Sequence, residues 1–180
     1  MRSPDFPSNP ETHTVMSFQE QTADYWIQKL GLWPHPGHET GFLNEVFRDA
    51  FQVSGWNGDP RNSATNIYFL HKPVDSPLND ATVLFRMKNN ELLNFYCGHP
   101  LTLYIMEDGS KCSEFKSVVL GPNPEENQCF FFAIPRNTWF VRRLESTQAN
   151  AFTLIGCTVV PGYNDADIET KTWGEIKSSE

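Results

Sequence analysis

The sequence predicts an all-β fold, a sandwich or a barrel, with one short helix ahead of it. Three observations carry that prediction. Nine short segments rich in β-branched and aromatic residues succeed one another from residue 43 onward. Turn chemistry separates them, as in Glu107-Asp108-Gly109 and Gly121-Pro122-Asn123-Pro124. No helical pattern lies between them, which excludes an alternating α/β arrangement. A chain of 180 residues suits one such domain with a substantial core.

Each element has a local cause. Residues 1–16 are polar and proline-rich and are expected to be disordered. Ser17-Phe18-Gln19-Glu20 reads as a capping box, with a hydroxyl at the N-cap and a carboxylate three residues on. Ala23, Trp26, Ile27 and Leu30 then recur at helical spacing until Gly31, giving a helix of roughly three turns. LGLWPHPGHETGF (30–42) is dense in Pro and Gly and reads as a loop. The strands expected next are 43–51, 64–72, 81–88, 91–96, 101–106, 116–121, 129–135, 138–144 and 152–160. After Gly162 the chain is acidic and polar, with Trp173 as its anchor. The domain is therefore set at 17–170, with 171–180 as a polar tail.

Composition narrows the function. Net charge is −8 and the sequence pI is about 5.1, so a nucleic-acid footprint is lacking. Four cysteines at 97, 112, 129 and 157 show no C-x-x-C spacing, which removes support for a structural zinc site. The start MRSPDFPSNP has no apolar run, and no stretch approaches the ~20 apolar residues of a membrane span. A cytoplasmic protein with reduced thiols and no membrane partner is the expectation. Aromatic residues make up 13%, and 14 residues are Phe. That excess fits a core, an aromatic interface or an apolar pocket.

Five stretches, in order, resemble the fifth family of the cupin superfamily. LGLWPHPGHETGF is similar to its L-x-L-x-x-H-P-E-G-G-Y-F opening, and ATNIYFL to its T-x-I-Y-F-L-L strand. NNELLNFYCGHPLTLYIMEDG is similar to S-D-E-x-W-H-F-x-x-G-D-P-L followed by an apolar strand and an acidic-Gly turn. VVLG with AIPRNTWF resembles V-x-L-G with V-P-x-G-x-W, and LIGCTVVPGYNDADIE resembles L-V-G-C-T-V-x-P-G-F-x-F-x-D-F-E. The resemblance spans about residues 28–169. It implies a double-stranded β-helix, or jelly roll, and a homodimer paired through edge strands.

The departures from the superfamily pattern matter most. Metal-binding cupins carry H-x-H-x3–4-E-x6-G and P-x-G-x2-H motifs. Glu91 and Gly98 keep the E-x6-G spacing, but the imidazole positions read Phe85, Met87 and Phe140. One carboxylate without imidazoles does not hold a transition metal, so no metal and no cofactor is expected. Strand parity puts Phe85, Met87, Glu91, Leu93, Phe95, Phe140 and Arg142 on the side of the old ligand set. The result is an apolar pocket around one acid, suited to an apolar or aromatic small molecule.

Two roles stand open for Glu91. A carboxylate in an apolar cavity has a raised pKa and serves as general acid or base; alternatively it pairs with Arg86 or Arg142 and ties strands together. Arg142 either enters the pocket to bind an oxyanion or sits on the surface beside Arg143, with the surface slightly favoured. Arg86 should face away. Tyr68 and Tyr96 are proton donors or core tyrosines, and Glu39 is a second acid or a turn residue. Glu45 and Arg48 match charged positions of the family's opening run. Asn94, where the family has His, and Trp139 complete the substrate-binding set, although the parity of Asn94 opposes that of Glu91. His35 and His38 lie in a loop near the expected pocket entrance. The expected function is a metal-independent, non-redox isomerisation, cyclisation, epimerisation or elimination. A non-catalytic binding or scaffold protein and a sugar-nucleotide epimerase are the alternatives.

Overall fold

The computed structural model describes residues 21–37, 41–74, 76–106 and 115–178. Fourteen strands lie among them. The first five are β1 (Trp33–Pro34), β2 (Gly41–Arg48), β3 (Gln52–Ser54), β4 (Pro60–Asn62) and β5 (Thr65–His71). Then come β6 (Val83–Met87), β7 (Asn90–Gly98), β8 (Leu101–Met106) and β9 (Phe115–Leu120). The last are β10 (Gln128–Cys129), β11 (Phe131–Ile134), β12 (Trp139–Arg143), β13 (Thr153–Val160) and β14 (Ile168–Thr172). All nine strands expected from sequence form, with ends shifted by a few residues.

Two six-stranded sheets face each other, ordered β1-β2-β5-β13-β7-β11 and β10-β9-β8-β12-β6-β14. From β5 to β8, and again from β10 to β14, the chain passes from one sheet to the other with each strand. This is a jelly roll, whose alternating strands place every second side chain inside. The interior cluster includes Phe69, Phe85, Met87, Leu93, Phe95, Phe140, Ile155 and Cys157.

A helix covers part of each outer face. Helix α1 (Ala23–Lys29) presses Ala23, Trp26, Ile27 and the following Leu30 onto Leu70, Cys97 and Leu154 of the first sheet. Seven residues are too few to hold a helix in water alone, so this packing sustains it. The helix is shorter than the three turns expected. It starts behind Thr22, whose hydroxyl accepts from the Tyr25 N–H at 3.2 Å, and Gly31 follows its end at φ +60°. The capping box read at Ser17–Glu20 and the disorder read over 1–16 lie outside the described residues.

The polar tail also holds structure. β14 pairs with β6, and α2 (Trp173–Lys177) follows it behind a Thr172–Glu175 capping box. Ile176 of α2 packs on Leu84, Met106 and Val141, outside the second sheet. Gly98 has φ +100°, and a Cβ there would lie 2.2 Å from the Phe152 carbonyl oxygen. Only glycine fits that end of β7. Among the described residues no helix is long and apolar enough to cross a membrane.

Candidate functional site

Glu91 reaches the interior from β7, registered between Val159 of β13 and Ile134 of β11 in the first sheet. Arg142 comes from β12 in the second. Arg142 Nη1 donates to Glu91 Oε1 at 2.9 Å and also approaches Cys157 Sγ at 3.3 Å. The side chains of Arg142 and Glu91 are 7% and 6% exposed. The ion pair thus crosses the barrel and joins the two sheets. The guanidinium lies 5.2 Å from the Phe69 ring centre and 5.7 Å from that of Phe140, so aromatic faces hold its plane. The slight preference for a surface Arg142 is corrected: two inward residues, Phe140 and Arg142, alternate with outward Trp139 and Val141.

The pair lines a cavity of about 310 Å³. That lies at the lower end of ligand sites, roughly 300–1,000 Å³. Phe69, Phe85, Met87, Phe140, Ile67 and Val159 make its apolar wall, while Trp33, His35, Glu45, Tyr163 and Asp165 add polar and aromatic groups. Phe85 and Phe140 face each other across β6 and β12 with ring centres 6.2 Å apart. Glu45 is tied to Arg48 at 2.7 Å. The Tyr163 hydroxyl donates to Asp165 at 2.9 Å.

The structure brings Glu91, Arg142, Phe85, Met87 and Phe140 together. Leu93 and Phe95 share their face of β7 but are buried in the barrel core and do not line the cavity. Tyr96, Tyr68 and Asn94 are corrected outright. Tyr96 lies over Gly156, where an added Cβ would come 2.2 Å from its hydroxyl oxygen, and it is 44% exposed. Tyr68 meets it edge-on at 5.9 Å and packs with the α1 cluster. Asn94 sits in the same outward row, opposite Gly156. Trp139 is also on an outer face, under the Arg86 guanidinium at 4.6 Å. Arg86 faces away as expected and pairs with Glu169 at 2.5 Å. Glu39 and His38 lie outside the described residues.

Phe69, Ile67, Cys157, Val159 and Tyr163 were missed from sequence. Parity along Ile67-Phe69 and Ile155-Cys157-Val159 carries that signal, once one member of each strand is known to face inward. The pairing of β5, β13 and β7 supplies the fact, and periodicity alone does not.

The residues do not fit the superfamily's metal. Its imidazole positions hold two phenyl rings and a thioether, a weak donor at best, and Glu91 already faces a guanidinium. Among the described residues, no three His, Cys, Asp or Glu side chains gather to hold an ion.

The fold and the Glu-x6-Gly strand make this chain a cupin. More narrowly, the model of the fifth cupin family (cupin superfamily, DUF985) matches residues 24–171, and the chain belongs to that family. It is similar to a hypothetical protein from Leishmania major, 29% identical over 83% of this chain and 86% of that one, with TM-score 0.70. A crystal structure of a Shewanella oneidensis protein is similar too, 26% identical over 88% and 94%, with TM-score 0.66. A search among curated proteins returned no match.

Proposed function

We propose that this cupin is a metal-independent enzyme that encloses a small, largely apolar molecule and catalyses a non-redox rearrangement driven by proton transfer. One observation carries the reading: a buried carboxylate–guanidinium pair faces an apolar cavity. In such a site Glu91 takes a proton from carbon beside a carbonyl and Arg142 holds the enolate oxygen; return of the proton to another carbon completes an isomerisation, and its return to the opposite face of the same carbon an epimerisation. Low dielectric strengthens both contacts, and the rigid Phe-Met wall orients the guest.

The same ion pair favours a second reading, in which it only joins the sheets and the cavity stores a ligand. Solvent exchange separates the two. The purified protein is extracted, any co-purified molecule is identified by mass spectrometry, and that molecule is incubated with protein in D2O. An enzyme incorporates deuterium or changes the isomer, and Glu91→Gln abolishes this. Binding without exchange supports storage. A stoichiometric transition metal required for turnover, or full activity in Glu91→Gln, overturns the proposal.

A further inference from the structure

Two hollows follow one another along the barrel strands. The cavity of about 310 Å³ around Glu91 opens past the exposed Trp33, Glu45 and Asp165. A second, of about 280 Å³, opens past the exposed Ser76, Asn79 and Ala81. On β5, Ile67 and Phe69 line the first and His71 the second; on β6, Met87 lines the first and Val83 the second. Phe85, between Met87 and Val83, lines both, and so does Arg142. Side chains on one face of a strand stand two residues, about 7 Å, apart. The partition between the hollows is therefore one layer of side chains. It consists of Phe85, which is 7% exposed, of Arg142, held to Glu91 at 2.9 Å, and of the Phe69 ring packed on that of His71 with centres 4.3 Å apart.

We infer that Phe85 is the length-determining residue of the barrel site. It stops a guest at the end of the first cavity, so the site selects compact molecules over extended chains. The inference rests on the reading that the first cavity holds the guest, and it is independent of whether a reaction follows. Arg142 is fixed in the partition by its ion pair. Phe85 closes its part by bulk alone: its ring has no polar atom and packs on Phe140 at 6.2 Å between centres. Trimming that ring therefore joins the hollows and nearly doubles the space behind the first mouth. The second hollow is walled by Val74, Val83 and Val141 as well as by polar groups, so it receives a hydrocarbon chain once the path is open.

The test is methyl NMR on the full chain, titrated with three neutral alcohols: cyclohexylmethanol, octanol and dodecanol. The Met87 methyl reports the first cavity and the Val83 methyls the second, each assigned by its loss in Met87→Leu or Val83→Ala. In the unaltered protein, cyclohexylmethanol and octanol should shift Met87 saturably and leave Val83 unmoved, and dodecanol should bind no more tightly than octanol. In Phe85→Ala, dodecanol should shift Met87 and Val83 together. It should also bind about tenfold or more tighter than octanol, since each further buried methylene is worth about fourfold. Phe85→Leu should lie between the two and serves if the alanine variant does not fold. Dodecanol reaching Val83 with Phe85 intact, or an unchanged preference in a folded Phe85 variant, overturns the inference and leaves the first cavity standing as a ligand site. No Met87 shift with any of the three alcohols overturns both readings.

Discussion

Replacing Arg142 with Met removes the cation and keeps an unbranched stem between Phe69 and Phe140. Glu91 then stays inside the barrel at 6% side-chain exposure, without its 2.9 Å partner. Leaving one member of a buried pair uncompensated costs about 3–5 kcal/mol. For a chain of this size, 1 kcal/mol moves Tm by about 2–4 °C, so a fall of about 6–20 °C is expected. Glu91→Gln should cost a similar amount, because the always-charged guanidinium then faces a neutral amide, whose oxygen still accepts from it but no longer balances its charge. The double variant Glu91→Gln, Arg142→Met buries no charge at all. Exchanging a buried ion pair for neutral groups is often close to neutral in stability. It should therefore recover most of the loss suffered by Arg142→Met.

Denaturant unfolding of the four proteins gives the coupling directly. Penalties that simply add would refute the reasoning, because they would mean that the two side chains do not sense each other. A stable double variant that no longer retains ligand would show that the pair is kept for the cavity's guest and not for the fold.

Three further outcomes are expected. Arg61 grips Asp167 with Nε and Nη2 at 2.6 and 3.0 Å, and these bonds hold the Asp167 carboxyl below its ordinary range. A depressed folded pKa gives stability that is full above the unfolded value, near 3.8, and is lost as pH falls through the lower folded one. Asp167→Asn should therefore lower Tm at neutral pH and flatten the fall in Tm below about pH 4; parallel curves for the two proteins would contradict this. Gly98→Ala forces a side chain to φ +100° against a backbone carbonyl, and should cost at least about 2 kcal/mol in denaturant unfolding. Tyr96→Phe and Trp139→Leu, on the outer faces, should leave the amount of co-purified barrel ligand unchanged, whereas Phe140→Trp, which fills the cavity, should reduce it in quantitative mass spectrometry.

Much of this was legible in the sequence, and the failures have physical reasons. The apolar face of α1 and the nine strands follow from spacing and turn chemistry. The motif positions of the cupin resemblance gave Phe85, Met87 and Phe140, and parity from Phe140 offered Arg142 on the same face, although a surface Arg142 was slightly preferred. Parity does not say how far along the barrel a residue lies. Leu93 and Phe95 have the right face and the wrong depth. Tyr96, like Asn94, has the parity opposite to Glu91, and alternation along β7 already pointed it outward. Strand β14, Ile-Glu-Thr-Lys-Thr, lies at the edge of its sheet and reads as polar tail. The box Thr172–Glu175 was a readable signal for α2.

The ion pair also bears on how such a barrel can lose its metal. A glutamate in an apolar interior needs a counter-charge, or it must give up its own. A metal cupin supplies that charge with an ion held by imidazoles. Here the rings at those positions are Phe85 and Phe140, and Arg142, two residues beyond Phe140 on the same strand, supplies the cation covalently. The replacement changes the available chemistry. A guanidinium has no open coordination site and cannot cycle electrons, but it presents fixed N–H donors that suit a carbonyl, enolate or carboxylate oxygen. Its aromatic neighbours limit where those donors point. Reactions that need only a positioned acid and base are what this donor set can support, and Arg142 favours the proposed non-redox chemistry as much as the lost histidines do.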